Sequence, residues 1–273
     1  MADGVHADRY KIEPGKSVHL DDWDPSDTSG FGGSEDQAKE ESGRLTKKLE
    51  ALQETLYAED KHSLLIVLQA MDTGGKDGTI RRVFEGVNPQ GVRVARFKEP
   101  TPEELSHDFL WRVEQKLPAR GEIAIFNRSH YEDVLVVRVH NLAPKKVWRR
   151  HYDEINDFER RLADEGTTIL KFYLHIDADE QKKRLQARLE DPTKEWKFSE
   201  DDLKERKYWD QYMKAYEHAL EKTSKDWAPW YLIPGNHHWF RDLLVSSVIV
   251  NTLEGLKMSY PKLPEEERSV KIR

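Results

Sequence analysis

Short apolar runs at 64–68, 92–97, 123–126, 169–176 and 230–233 alternate with stretches whose apolar residues recur every three or four positions. The runs predict β-strands, and the spaced stretches predict helices near 34–58, 78–87, 102–116, 131–139, 144–164, 179–189, 199–222 and 239–258. Leu45, Leu49, Leu52, Leu56 and Tyr57 mark the buried face of the first of these. Strands separated by helices pair in parallel through right-handed crossovers. The expected architecture is therefore a three-layer α/β fold around a parallel sheet of about five strands, with ligands beyond the carboxyl ends of the strands. No repeat of solenoid period is present.

Residues 1–33 are polar and broken by Pro14, Pro25, Gly30, Gly32 and Gly33, the composition of a flexible arm that wraps the domain or stays mobile. One domain is expected over 34–258, with a tail over 259–273.

Among the 273 residues, 37% are hydrophobic, enough for a sizeable core despite a charged fraction of 35%. Lys and Arg number 44 against 51 Asp and Glu, a net charge of −7, which argues against nucleic acid as a partner and makes any anion site local. Without cysteine there are no disulfides, thiolate nucleophiles or Cys-ligated metals. Neither a signal peptide nor a bilayer-spanning run is visible, so a cytoplasmic setting away from membranes is expected. In that setting the formal acceptor Asn127-Arg128-Ser129 is not a glycosylation site.

The densest chemical signal follows the first strand, where LLIVLQAMDTGGKDGT runs from 64 to 79. A strand entering a glycine-rich turn with one lysine and then a helix is the layout of a phosphate-binding loop. Gly74, Gly75 and Gly78 let backbone N–H groups converge on anionic oxygens, the helix start adds its dipole, and Lys76 supplies a compact cation. The Walker A pattern G-x-x-x-x-G-K-[ST] is matched imperfectly, with Ala70 for the first glycine, Asp77 for the hydroxyl residue and Thr79 displaced. Asp72 would repel phosphate unless a divalent cation lay between them, which makes it a magnesium-ligand candidate. The competing reading is a tight turn with Lys76 solvated.

The third strand ends in Asn127-Arg128-Ser129-His130-Tyr131-Glu132-Asp133 on the same sheet edge. Asn127, Glu132 and Asp133 are candidates to organise a metal, and Arg128 has the planar fork that clamps a phosphate. Glu132 and Asp133 equally suit the first turn of the next helix.

Between 181 and 197 six basic residues (Lys182, Lys183, Arg184, Arg188, Lys194, Lys197) face three acidic ones. Arg184 and Arg188 share a helical face, and the turn at Asp191-Pro192 leads into a tryptophan-bearing loop, so 182–210 reads as a lid over phosphates. Lys182 and Lys183 suit a solvated face. Trp227, Trp230, Tyr231 and Trp239 read as core. No H-E-x-x-H or G-x-S-x-G motif occurs.

Taken together, LLIVLQAMDTGGKDGTI, NPQGVRV, PEELSHDFLWR, GEIAIFNRSHYEDVLVVRVH, INDFE, LKFYLHI, EQKKRL, WKFSEDDL and APWYLIP resemble polyphosphate kinase family 2. The resemblance runs from about 47 to 253. It implies a P-loop-kinase-like α/β fold with a helical lid, transferring phosphoryl groups between inorganic polyphosphate and adenine nucleotides with Mg2+. The family loop MDxxGKxG falls on Asp72 and Lys76, its arginine after the third strand on Arg128, and its lid cations on Arg184, Arg188 and the Lys194–Lys197 loop. Thr73, Gly74, Gly75, Asp77, Gly78, Thr79 and Asn127 complete the expected phosphate contacts, and Asp72 with Glu132 or Asp133 the expected metal site. Asn127 replaces an aspartate found in many members and resembles the branch that uses AMP as well as ADP; losing a carboxylate eases approach of an anionic acceptor. His238 stands where relatives usually carry lysine. A homo-oligomer is also implied. The rival functions are an ATP-dependent small-molecule or nucleoside monophosphate kinase and a nucleotide-gated switch; the switch is disfavoured by the lack of an N-K-x-D motif.

Overall fold

The computed structural model describes residues 4–265 and 267. Five strands, β1 (Ser63–Gln69), β2 (Val92–Arg96), β3 (Ile123–Asn127), β4 (Thr167–His175) and β5 (Trp230–Pro234), form one parallel sheet in the order β2-β3-β1-β4-β5. All five expected strands are present within two residues at each end. They are legible because β1, β3 and β5 are buried along their whole length and so read as unbroken apolar runs.

The helices are α1 (Glu35–Glu59), α2 (Lys76–Val83), α3 (Pro102–Leu105), α4 (Trp111–Glu114), α5 (Val136–Val139), α6 (Lys145–Asp164), α7 (Ala178–Glu190), α8 (Glu200–Glu205), α9 (Trp209–Thr223) and α10 (His238–Gly255). A core on one face of the sheet joins Leu64, Ile66 and Leu68 to α1, α2 and α10; another joins Leu65 and Val67 to α6 and α9. Alternate residues of β1 thus serve opposite layers. Helix α1 starts at a capping box, with the Ser34 hydroxyl accepting from Gln37 N and the Gln37 side chain accepting from Ser34 N.

Three expected helices are interrupted. The 102–116 stretch is two short helices, the Thr101–Glu104 capping box starting the first and Asp108 accepting from Leu110 N before the second. The 131–139 stretch is a 3-10 turn over His130–Val134 followed by α5, and 199–222 breaks at a 3-10 turn over Arg206–Tyr208. There Arg206 reaches the Ala178 carbonyl (2.6 Å) and Gln181 Oε1 (2.8 Å), tertiary bonds that periodicity does not report.

Over its described residues the arm packs against the domain. Val5, Ala7, Tyr10, Ile12, Val18 and Leu20 are buried, Ile12 N donates to the Trp230 carbonyl (2.8 Å), and an antiparallel bridge joins Lys11 to Tyr231. The apolar residues scattered through this polar segment cover the outer edge of β5. Residues 1–3 of the arm and 266 and 268–273 of the expected tail lie outside the described residues.

Candidate active site

Strand β1 lies between β3 and β4, so the crossovers diverge on either side of it and a crevice opens at its carboxyl end. Leu68 pairs with Asn127, and Arg128 N donates to the Leu68 carbonyl (3.1 Å), which sets the glycine-rich loop beside the Arg128 turn. Thr73 (φ 64°) and Arg128 (φ 62°) both adopt the left-handed conformation, a strain of about 1–3 kcal/mol each for a non-glycine residue. Gly75, at φ 100°, caps α2; a Cβ there would lie 2.1 Å from Arg241 Nη1, so only glycine allows the guanidinium to cross the loop.

Lys76 folds back over the loop, donating to the carbonyls of Ala70 (2.8 Å) and Met71 (3.3 Å). Burial, and then Arg128, push its ammonium down to about 8. Asp72 Oδ1 accepts from Arg128 Nη2 at 2.6 Å, and Glu132 stands 3.7 Å from Arg128 Nη1. Glu132 and Asp72 together hold Arg128 firmly protonated against its burial. Asp77 accepts from Asn127 Nδ2 at 2.6 Å, locking the two loops together.

The expected lid helix α7 closes one side. Gln181 donates to the Asp72 carbonyl (3.1 Å). Arg184 braces the loop through the carbonyls of Thr73 (3.2 Å) and Gly235 (2.6 Å). Arg188 binds the Lys197 carbonyl and Asp202, both at 3.0 Å. Lys194 pairs with Asp191 at 2.6 Å, and Lys197 lies over the Trp196 ring. The resulting open cleft has a volume of about 570 Å³. It brings together residues 72–78, Asn127, Arg128, Arg184, Arg188, Lys194 and Lys197 as expected.

Two expected residues are elsewhere. Thr79 is 1% exposed and does not line the cleft, because it shares the inner face of α2 with Val83, four residues on. Asp133 lies apart from Asp72 and Arg128, and burial pushes its carboxyl up to about 7; it is Glu132 that shares a small recess with Asp72, Arg128, Tyr212 and Tyr216. The structure places His238 in the cleft wall and adds residues that sequence reasoning missed: Arg81 and Arg82 of α2, Asp202 of α8, and Arg241 and Asp242 of α10. Arg241 is 2% exposed and bonded to Asp242. An adjacent Arg-Asp pair inside an otherwise apolar helix was its one visible sign. Burial, and then the charge of Asp72 across the cleft, push the Asp202 carboxyl up.

A family model described as Polyphosphate kinase 2 (PPK2) matches residues 32–261. The chain belongs to the polyphosphate kinase 2 family. It is 58% identical over 254 residues to an AMP/ADP-polyphosphate phosphotransferase of Meiothermus ruber, covering 93% of this chain and 95% of that one. Identity is 44% to an ADP-polyphosphate phosphotransferase of Rhodopseudomonas palustris, over 97% of this chain and 95% of the relative. The crystal structure of Polyphosphate Kinase 2 from Arthrobacter aurescens TC1 superposes with a TM-score of 0.92 at 45% identity, covering 97% of this chain and 95% of that one. As a polyphosphate kinase 2, the chain is a phosphotransferase. The loop, the Arg128 turn and the basic helix α7 all fall within the matched span.

Proposed function

We infer that this enzyme transfers a phosphoryl group from inorganic polyphosphate to AMP and ADP, making ADP and ATP with Mg2+. The observation that carries this reading is the charge of the cleft. Nine basic side chains (Lys76, Arg81, Arg82, Arg128, Arg184, Arg188, Lys194, Lys197, Arg241) line it against four acidic ones, in a protein whose net charge is −7. So many fixed cations suit a polymeric anion beside a nucleotide. The names borne by the Meiothermus and Rhodopseudomonas relatives agree.

The acceptor is already an anionic phosphate oxygen, so no strong base is needed and catalysis comes from alignment and charge neutralisation. Lys76 and Arg128 would grip the transferring group. Arg188, now bonded to Asp202, would exchange that partner for phosphate as the lid closes. Arg184 holds the loop carbonyls in place.

Among the described residues no three His, Asp or Glu side chains converge into a metal cage. Asp72 and Glu132 beside a phosphate site fit Mg2+, which typically takes one or two carboxylates and fills its octahedron with water and phosphate oxygens. The ion would neutralise charge on the transferring group.

A cytoplasmic setting, expected from the sequence, and self-association, implied by the family resemblance, belong to the same reading. Among the described residues no helix is long and apolar enough to cross a membrane. Incubation with AMP, Mg2+ and polyphosphate, without ATP, should yield ADP and then ATP. Product only when ATP is supplied as donor would instead establish an ordinary nucleotide-dependent kinase.

A further inference from the structure

Beneath the cleft lies a charged cluster to which the reaction above gives no part. Lys171 projects from the middle of β4 and is fully buried, as are Glu159 of α6 and Tyr131. An ammonium has three N–H groups. Here each meets an acceptor from a different part of the chain: Glu159 Oε2 at 2.5 Å, the Tyr131 hydroxyl at 2.9 Å and the Thr223 carbonyl at 2.7 Å. The Tyr131 hydroxyl donates in turn to Glu159 Oε1 at 2.8 Å, and His130 Nε2 lies 3.2 Å from that oxygen.

Stability alone does not account for such a cluster. A buried ion pair is often no more stabilising than well-packed apolar side chains of the same volume. What the pair supplies is direction, because hydrogen bonds fix distances and angles where apolar contacts can slide. Tyr131 is three residues beyond Arg128 and next to Glu132, in the turn that Ser129 caps. Thr223 ends α9, the helix that carries Tyr212 and Tyr216 to the recess of Asp72, Arg128 and Glu132. One ammonium is therefore bonded both to the turn and to the helix that supply residues to that recess.

We propose that Lys171 is a positioning residue for phosphoryl transfer: through Tyr131 and the Thr223 carbonyl it fixes the Arg128–Glu132 turn against α9 and so places the Arg128 guanidinium. The proposal rests on the phosphotransfer reading for its activity assay, and on hydrogen exchange independently of it.

The deciding comparison is the double variant Lys171→Met/Glu159→Leu, which replaces the ion pair by apolar side chains. It leaves the Tyr131 hydroxyl, His130 and the Thr223 carbonyl without these partners, so the thermal midpoint should fall; at temperatures where the variant stays folded, kcat should fall by up to about 10²-fold, the cost of misplacing a reacting group by about 1 Å. The KM for AMP should change little. Tyr131→Phe, which keeps the ion pair and the packing, covers the case in which the double variant does not fold. It should lower kcat at unchanged AMP KM and speed amide exchange over 129–134 and at the end of α9. Asn156→Ala removes a neighbouring bond between α6 and the end of α9, to the Lys222 carbonyl (3.1 Å), and should leave kcat near wild type. Wild-type kcat and exchange in Tyr131→Phe would overturn the proposal, as would an equal loss of kcat in Asn156→Ala. A wild-type enzyme with no polyphosphate-dependent turnover would instead defeat the reading of the reaction, and the exchange result would then decide this one.

Discussion

Lys76 illustrates how one buried charge shapes both activity and stability. Its ammonium titrates near 8 rather than the ordinary 10.5, because burial disfavours the charged form. Between those values the unfolded chain holds more protons than the folded one, so this group makes stability rise with pH across that window. The charge that grips phosphate is lost over the same interval. Accordingly kcat/KM for polyphosphate should fall above pH of about 8, and a bound polyanion should move the corresponding limb of kcat upward; coincident limbs would show that Lys76 does not meet the donor. Lys76→Ala should lower turnover by about 10²-fold or more, the loss typical of one preorganised electrostatic donor, and near wild-type turnover would remove it from the mechanism. Asp72→Asn should raise the Mg2+ concentration needed for half activity by about tenfold; an unchanged titration would leave Asp72 as a partner of Arg128 alone. Asp72, Lys76 and Arg128 were legible because each sits at the end of a recognisable strand. Asp202 was not, since Glu200, Asp201 and Asp202 look alike until the lid is folded and only Asp202 turns towards Arg188. Thr79 is buried on the inner face of α2, a placement that a hydroxyl three residues after a lysine does not reveal in the sequence.

At the level of elements, the loop between β1 and α2 works because it is short of side chains where Arg241 crosses. Gly75→Ala adds a Cβ 2.1 Å from Arg241 Nη1 at φ 100°. That strain should cost about 1–3 kcal/mol in chemical denaturation and lower turnover as well; a stable, fully active variant would mean that Arg241 can step aside freely. The sheet was readable from the sequence since burial on both faces leaves apolar runs bounded by turns. The segment from α7 to α9 was readable only as a basic helical region. Its break at Arg206–Tyr208 follows from Arg206 binding the Ala178 carbonyl and Gln181, 28 and 25 residues away, and no local pattern encodes contacts of that span.

Across the whole molecule, the first segment is a structural part of the domain. Besides covering β5, it donates from Leu20 N to Glu217 of α9 (2.9 Å), and its Pro25 carbonyl accepts from Asn236 N (3.0 Å), beside the Gly235 carbonyl that Arg184 grips. Removing residues 1–20 would delete the buried side chains of Val5, Tyr10, Ile12, Val18 and Leu20 and expose the apolar surface they cover. At roughly 1.5–3 kcal/mol for each fully buried large side chain, the loss rivals the 5–15 kcal/mol that typically holds a domain together. The truncated chain should show a much lower denaturant midpoint; an unchanged midpoint would make the segment dispensable. Proline and glycine content left wrapping and mobility open here, because the sparse apolar residues that pack on the domain are too irregular for any helix or strand pattern. Covering β5 also leaves β2 as the sheet's other margin, without a strand beyond it among the described residues. Any union of two molecules margin to margin would consume the free rim of each and leave nothing to recruit a third, so growth by that route ends at a pair.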